Sequence, residues 1–185
     1  MSALLRAAAT RFEALEPTLN RLDAATGDGD HGATMVKGLR AAAEADQEPG
    51  TAFRKAAGGA SGMLFAQVID ALVQIEGGAP VGPSLQKAAQ RIAMLGQAKA
   101  GDKTMLDALL PASTCGTLAE AAAAAHAGCE ATEAMEAKRG RAKYVEGAGV
   151  GHVDAGATSV AELLKLFAGG RLHDQRADDQ GLQHP

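Results

Sequence analysis

Apolar residues recur at steps of three and four along most of this chain, and no stretch alternates convincingly at a step of two. Leu4, Ala8, Phe12, Leu15, Leu19 and Leu22 form one such stripe, with Ser2 placed to cap it. The spacing predicts a long amphipathic first helix that ends at an acidic loop. A second helix is expected from His31-Gly32 through Met35, Val36, Leu39 and Ala42, broken by Gln47-Glu48-Pro49-Gly50. A short helix over 52–57 follows, then a glycine-rich turn at 58–62, then a stripe of Leu64, Val68, Leu72 and Ile75. Beyond the loop at 77–83, Ser84 is expected to cap a helix reaching Leu95, and a further helix runs from Lys103 or Thr104 to about Leu110. The alanine run at 119–127 reads as a helix in a tight contact, continued over 131–137. Residues 140–156 carry five glycines and read as a long functional loop. A last helix is expected over 158–168, stopped by Gly169-Gly170, and the polar tail 171–185 is expected to be disordered. The pattern as a whole predicts an all-α domain over 1–170 with seven or eight helices, antiparallel where the loops are short.

Composition narrows the picture. The chain has 185 residues, enough for one sizeable core, and only 3% of them are aromatic, with no Trp. An apolar share dominated by Ala and Leu favours closely packed helices over sheet. Net charge is −4 and no basic stripe exists, so nucleic acid is not an expected partner. No apolar run reaches the roughly 18 residues of a membrane span. The N-terminal residues lack the basic-then-apolar order of a signal peptide. Cys115 and Cys129 are isolated, without metal-ligand spacing, and read as small buried thiols in a reducing, cytoplasmic setting.

The candidate chemistry is concentrated in Asp23-Ala24-Ala25-Thr26-Gly27-Asp28-Gly29-Asp30-His31-Gly32. Three carboxylates within eight residues, separated by small residues and glycines, suit Mg²⁺, which prefers oxygen ligands and keeps positions open for water and phosphate. A calcium EF-hand loop does not fit, because the twelfth position from Asp23 is Thr34 rather than Glu. The alternative for Asp28-Gly29-Asp30 alone is a solvated turn. His31-Gly32-Ala33-Thr34 opens a helix whose first amides favour an anion, with Gly32 allowing close approach; a capping or core histidine is the bland reading of His31. Gly58-Gly59-Ala60-Ser61-Gly62 precedes another helix, and its amides and the Ser61 hydroxyl suit phosphate equally well. In Gly101-Asp102-Lys103-Thr104-Met105, Asp102 is a candidate N-cap, Lys103 a solvated cation or a phosphate neighbour, and Met105 a core residue or a platform for a base. Arg141 is a candidate phosphate clamp, and Asp154-Ala155-Gly156 either caps the last helix or contacts a sugar. No P-loop sequence is present, and the pattern predicts no convincing strand to carry a Rossmann turn.

Taken in order, four blocks resemble the nucleotide-binding L subunit of dihydroxyacetone kinase, equivalent to the C-terminal domain of the single-chain, ATP-dependent kinases. They are Leu22-Asp23 through Gly32, Gly58 to Gly62, Gly101 to Met105 with Asp107, and Gly140-Arg141-Ala142 through Gly151-His152 to Thr158-Ser159. The resemblance implies an antiparallel eight-helix barrel with the nucleotide at one rim. It implies two Mg²⁺ ions on Asp23, Asp28 and Asp30, and ADP or ATP contacted by His31, Gly32, Ala33, Thr34, Ala60, Ser61, Gly96, Met105, Arg141, Asp154 and Gly156. No residue need become a covalent nucleophile. In that family the ketose is held on a separate K-type unit, so the resemblance implies a K-type partner. It also implies one of two phosphoryl sources, a phosphoprotein of the phosphotransferase system or free ATP; oligomeric state, a homo-oligomer included, stays open. The chain departs from the family pattern at Thr34, where Asn is usual, at Lys143, where Ser is usual, and at Ala155, where Pro is usual. The rival from another class is a non-catalytic nucleotide-binding regulator of a transcription factor. A related fatty-acid kinase family typically has Asp-Gly-Asp-Thr-Gly, and His31 after Asp30 places this chain nearer the sugar kinases.

Overall fold

The computed structural model describes residues 2–25, 27–140 and 146–181; for 146, 148 and 171–181 it describes the backbone alone. Arg141 and Lys143, both singled out above, lie outside the described residues. Eight α-helices and no strands are present among the described residues. They are α1 (Ala3–Ala24), α2 (His31–Glu44), α3 (Pro49–Ala57), α4 (Gly59–Glu76), α5 (Val81–Gly96), α6 (Met105–Ala112), α7 (Leu118–Ala131) and α8 (Ala155–Gly181). The all-α, antiparallel architecture is the expected one.

Each helix packs on the next in sequence, and α8 returns against α1, so the eight close into a ring. Alternation of direction is the natural result of short connections between consecutive helices. The interior is a single apolar cluster in which Phe12, Phe53 and Phe167 are fully buried among Leu, Ile and Ala. Removing one such ring costs about 3–5 kcal/mol, because the cavity left behind collapses only partly. The alanine-rich α7 works through close approach: Ala121 and Ala125 are completely buried, and a side chain at Gly128 would strike the Asp107 carbonyl of α6. Among the described residues no helix is long and apolar enough to cross a membrane.

The helix starts show where periodicity was sufficient. Ser2 caps α1 through its Oγ, which accepts from the Leu5 amide at 3.0 Å, and α2 begins at His31. Other boundaries differ from expectation. Pro49 opens α3 instead of breaking the chain, as its fixed φ and missing N–H allow in a first turn. Gly59 to Gly62 form the first turn of α4 rather than a separate loop. Pro80 occupies the N-cap of α5, and Ser84 is buried one turn inside. After Ala131 the chain tightens into a 3₁₀ turn, Thr132–Ala134, so the expected helix over 131–137 does not form. At the other end α8 passes through Gly169-Gly170 and continues to Gly181, so the helix is longer than the sequence pattern indicates. Two glycines cost a helix only about 1 kcal/mol each, and a side chain at Gly170 would collide with Leu4 of α1. Cys129 is buried, as expected, whereas Cys115 is only half-buried; both are free thiols.

Candidate functional site

An antiparallel ring places the N-termini of α2, α4, α6 and α8 at one end. A cavity of about 470 Å³ opens there, lined by residues from all four starts: His31 and Thr34, Gly59 to Ser61, Met105, and Ala155-Gly156. Helix N-termini present positive partial charge and unbonded amides, so this end of the ring suits an anion. The C-terminal end of α1 and the loop after it bring Asp23, Asp28 and Asp30 to the same wall. Leu64, Phe65, Ile92 and Met105 contribute apolar lining, and Arg139 and Gly140 line the cavity as well.

The three carboxylates converge. One oxygen from each lies within 4.8 Å of the others. Asp23 organises the loop as well, since its Oδ2 accepts the amides of Gly29 at 2.9 Å and Asp30 at 3.1 Å. Gly29 stands at φ 78°, a conformation that costs an L side chain about 1–2 kcal/mol, which is how so short a loop folds back on Asp23. Oxygen-only donors with exposed faces at Asp28 and Asp30 are the set a hard divalent cation prefers.

The start of α2 differs from the expected free anion cradle. The amides of Gly32 and Ala33 both donate to the Oδ1 of Asn20, at 2.7 and 3.2 Å. Gly32 is required for a different approach: a Cβ there would strike the Glu16 carbonyl of α1. Ala33 is exposed on a shallow groove with Glu16, Lys37 and Arg40, away from the cavity. These two positions are therefore not brought to the cavity wall, while His31 and Thr34 are. His31 is buried, its Nε2 is 2.9 Å from the Ser159 hydroxyl of α8, and its ring lies 5.6 Å from that of Phe65. Burial lowers its pKa against the opposing influence of Asp23 and a hydrogen bond with the Ala155 backbone, which favours the uncharged ring.

At α4 the expectation fits better. Gly58 and Gly59 both have positive φ, 69° and 59°, with open space where a Cβ would sit, so it is the backbone turn and not crowding that demands glycine. Gly58 offers no side-chain cap, and the first turn of α4 lines the cavity with Ala60 and Ser61. Gly96 lies on the wall as well.

The segment before α6 is organised otherwise than expected. Thr104, not Asp102, is the N-cap, in a capping box with Asp107, whose Oδ2 accepts the Thr104 amide at 2.8 Å. The Thr-x-x-Asp spacing carried that signal in the sequence. Asp102 is buried, accepts the Lys99 amide at 3.0 Å and pairs with Arg139 at 3.4 Å. Lys103 is not solvated: it lies on the cavity lining, and its ammonium is buried among main-chain carbonyls.

Asp154 caps α8. Its Oδ2 accepts the Ala157 amide at 2.7 Å, and its own amide donates to Thr132 Oγ1 at 2.8 Å. Ala in place of the usual Pro at 155 thus leaves the cap intact. Desolvation, reinforced by Asp107 and opposed by the backbone amides and Lys103, pushes the Asp154 carboxyl up to about 6. Asp154 and Gly156 both line the cavity.

Residues 25–169 match the family described as the DAK2 domain. The chain belongs to this family. It is 36% identical to a D-erythrulose kinase of Mycolicibacterium smegmatis over 83% of its length, and 35% identical to a dihydroxyacetone kinase of Citrobacter freundii over 85%. A crystal structure of the C. freundii dihydroxyacetone kinase with AMP-PNP and Mg²⁺ superposes with a TM-score of 0.68 at 28% identity, covering 90% of this chain. In each case the chain spans about a third of the relative's own length: 32%, 33% and 33%.

Proposed function

We propose that this DAK2 chain is the nucleotide-binding part, of L-subunit type, of a kinase for dihydroxyacetone or a related small ketose. The observation that carries the reading is a single cavity lined by three converging carboxylates and by the uncapped first turn of α4. Asp23, Asp28 and Asp30 would hold Mg²⁺, two ions by family resemblance. A divalent cation in such a site supplies charge against phosphate oxygens in phosphoryl transfer. The amides and Ser61 hydroxyl at the start of α4 would take phosphate oxygens, with Thr34 beside them and Arg141 as a clamp. Gly96, Met105, Asp154 and Gly156 would line the nucleoside, the base resting on the apolar side. His31, on the cavity lining and hydrogen-bonded to Ser159, would tie the start of α2 to α8 beside the nucleotide.

No covalent nucleophile is required of the described lining residues, and the protein's part would be alignment and electrostatics. The matched region corresponds to about a third of the kinase relatives, and the ketose would be presented by a separate K-type unit. Bound ADP recharged by a phosphotransferase-system phosphoprotein, or exchanging ATP, would supply the phosphoryl group. The names of the two relatives reported above, both kinases, favour this over a transcriptional regulator.

The test is mass spectrometry of nucleotide released from purified protein, followed by calorimetry with ADP and ATP, with and without Mg²⁺. Retained ADP selects the phosphoprotein branch, and free exchange selects ATP. Absence of any Mg²⁺-dependent binding would sink the assignment, and ketose phosphorylation in a mixture with a K-type subunit would complete it.

A further inference from the structure

Lys103 stands at φ 57°, in the left-handed region, and is 3% exposed. Its Nζ donates to four main-chain carbonyls: Thr132 at 2.7 Å, Met135 at 3.2 Å, Gly149 at 2.7 Å and His152 at 2.6 Å. An ammonium has three protons, so this is a shared, ion-like coordination rather than a set of independent bonds.

The four acceptors belong to the two arms of the connection between α7 and α8. Thr132 and Met135 lie on the outgoing arm, Gly149 and His152 on the returning one. The arms touch directly at two further points, Gly151 N to Glu133 O at 2.8 Å and Asp154 N to Thr132 Oγ1 at 2.8 Å. The outgoing arm leads to Arg139 and Gly140, and the returning arm to Asp154, all on the cavity wall. Neither arm has α-helical bonding to hold it, and four carbonyl dipoles aimed at one point repel one another unless a cation lies between them.

We propose that Lys103 is a positioning residue whose buried ammonium braces the two arms of the α7–α8 connection and thereby sets the nucleotide-facing wall of the cavity. Lys103 itself lies on the cavity lining, and its ammonium is spent on the four carbonyls of the arms. Desolvation lowers the Lys103 pKa from its ordinary value, and the neighbouring Asp154 and Glu133 carboxylates oppose that. The consequence for nucleotide rests on the function proposed above; the bracing itself does not.

Two variants separate charge from shape. Lys103→Met fills the channel without a cation. Lys103→Gly suits the positive φ and empties the channel, leaving a carbonyl cage that propylammonium can enter. Hydrogen exchange is read on peptides covering 132–138 and 149–154, beside calorimetry with Mg²⁺ and ADP and far-UV circular dichroism. Exchange in both arms should rise about tenfold or more in each variant, and nucleotide affinity should fall by a similar factor, with α2 and α4 unaffected. Propylammonium should restore both readouts in Lys103→Gly and neither in Lys103→Met, while NaCl at equal ionic strength restores nothing. Native-like protection of the arms in Lys103→Met, or a folded Lys103→Gly that the amine does not rescue, would overturn the proposal. So would loss of all helicity in both variants, which would make Lys103 a requirement of the whole core. If the native chain itself binds no nucleotide, the functional reading fails, and the exchange data still decide the brace.

Discussion

Asp30→Asn should make the cation-free protein slightly more stable while removing its Mg²⁺-dependent nucleotide binding. The three carboxylate oxygens lie within 4.8 Å of one another. Two unit charges at that distance repel by about 0.9 kcal/mol at the dielectric of water and about 3.5 kcal/mol at an effective value of 20. Asp28 and Asp30 are exposed, so the lower figure applies, about 1 kcal/mol per pair. Neutralising Asp30 relieves two of the three pairs. Against that stands the attraction of a carboxylate for the N-terminus of α2, about 0.5 kcal/mol. No cap bond is lost, because the Asp30 side chain makes none to α2. The net gain is roughly 1 kcal/mol, or about 2–4 °C in Tm for a domain of this size. The assay is scanning calorimetry in EDTA, paired with isothermal calorimetry of ADP with and without Mg²⁺. A variant that melts lower in EDTA yet binds nucleotide with native Mg²⁺ dependence would refute both halves of the argument, since neither the mutual repulsion nor the cation would then reside at this cluster.

Two further expectations concern stability. Asp154 has its carboxyl raised from 3.8 to about 6, so between those values the folded chain holds a proton the unfolded chain has released, and stability falls as pH rises through the window. The penalty, present in full above the folded value, is at most about 3 kcal/mol. Asp154→Asn, which keeps an oxygen for the Ala157 amide, should therefore gain more over the native chain at pH 7.5 than at pH 5 in urea titrations; a gap that does not change with pH would disprove the shift. Gly32→Ala should lower the urea midpoint by the equivalent of about 1–3 kcal/mol, because the added methyl meets the backbone of α1 and outweighs the helix propensity gained. An unchanged or raised midpoint would show that α1 and α2 can separate at no cost.

What the sequence determined by itself was local. The step of three and four announced the helices, Ser2 and His31 marked two starts correctly, and Asp23, Asp28 and Asp30 were legible as an oxygen-donor set because they lie close along the chain. Short loops implied antiparallel neighbours, and four ordered blocks pointed to the family. The tertiary structure decided everything that depends on a partner far away in the chain. Asn20 takes the amides at the start of α2, so a feature that looked like an anion cradle is closed by a side chain one helix upstream. Gly32 and Gly170 are small because α1 passes close by, a reason that no local pattern carries. Asp102 turned out to be a buried ion-pair partner and Lys103 a brace between two arms, each set by groups some thirty to fifty residues away. Hydrophobic period and capping are encoded within a turn or two, whereas the burial of a charge and the use of an amide depend on which segments the ring brings together.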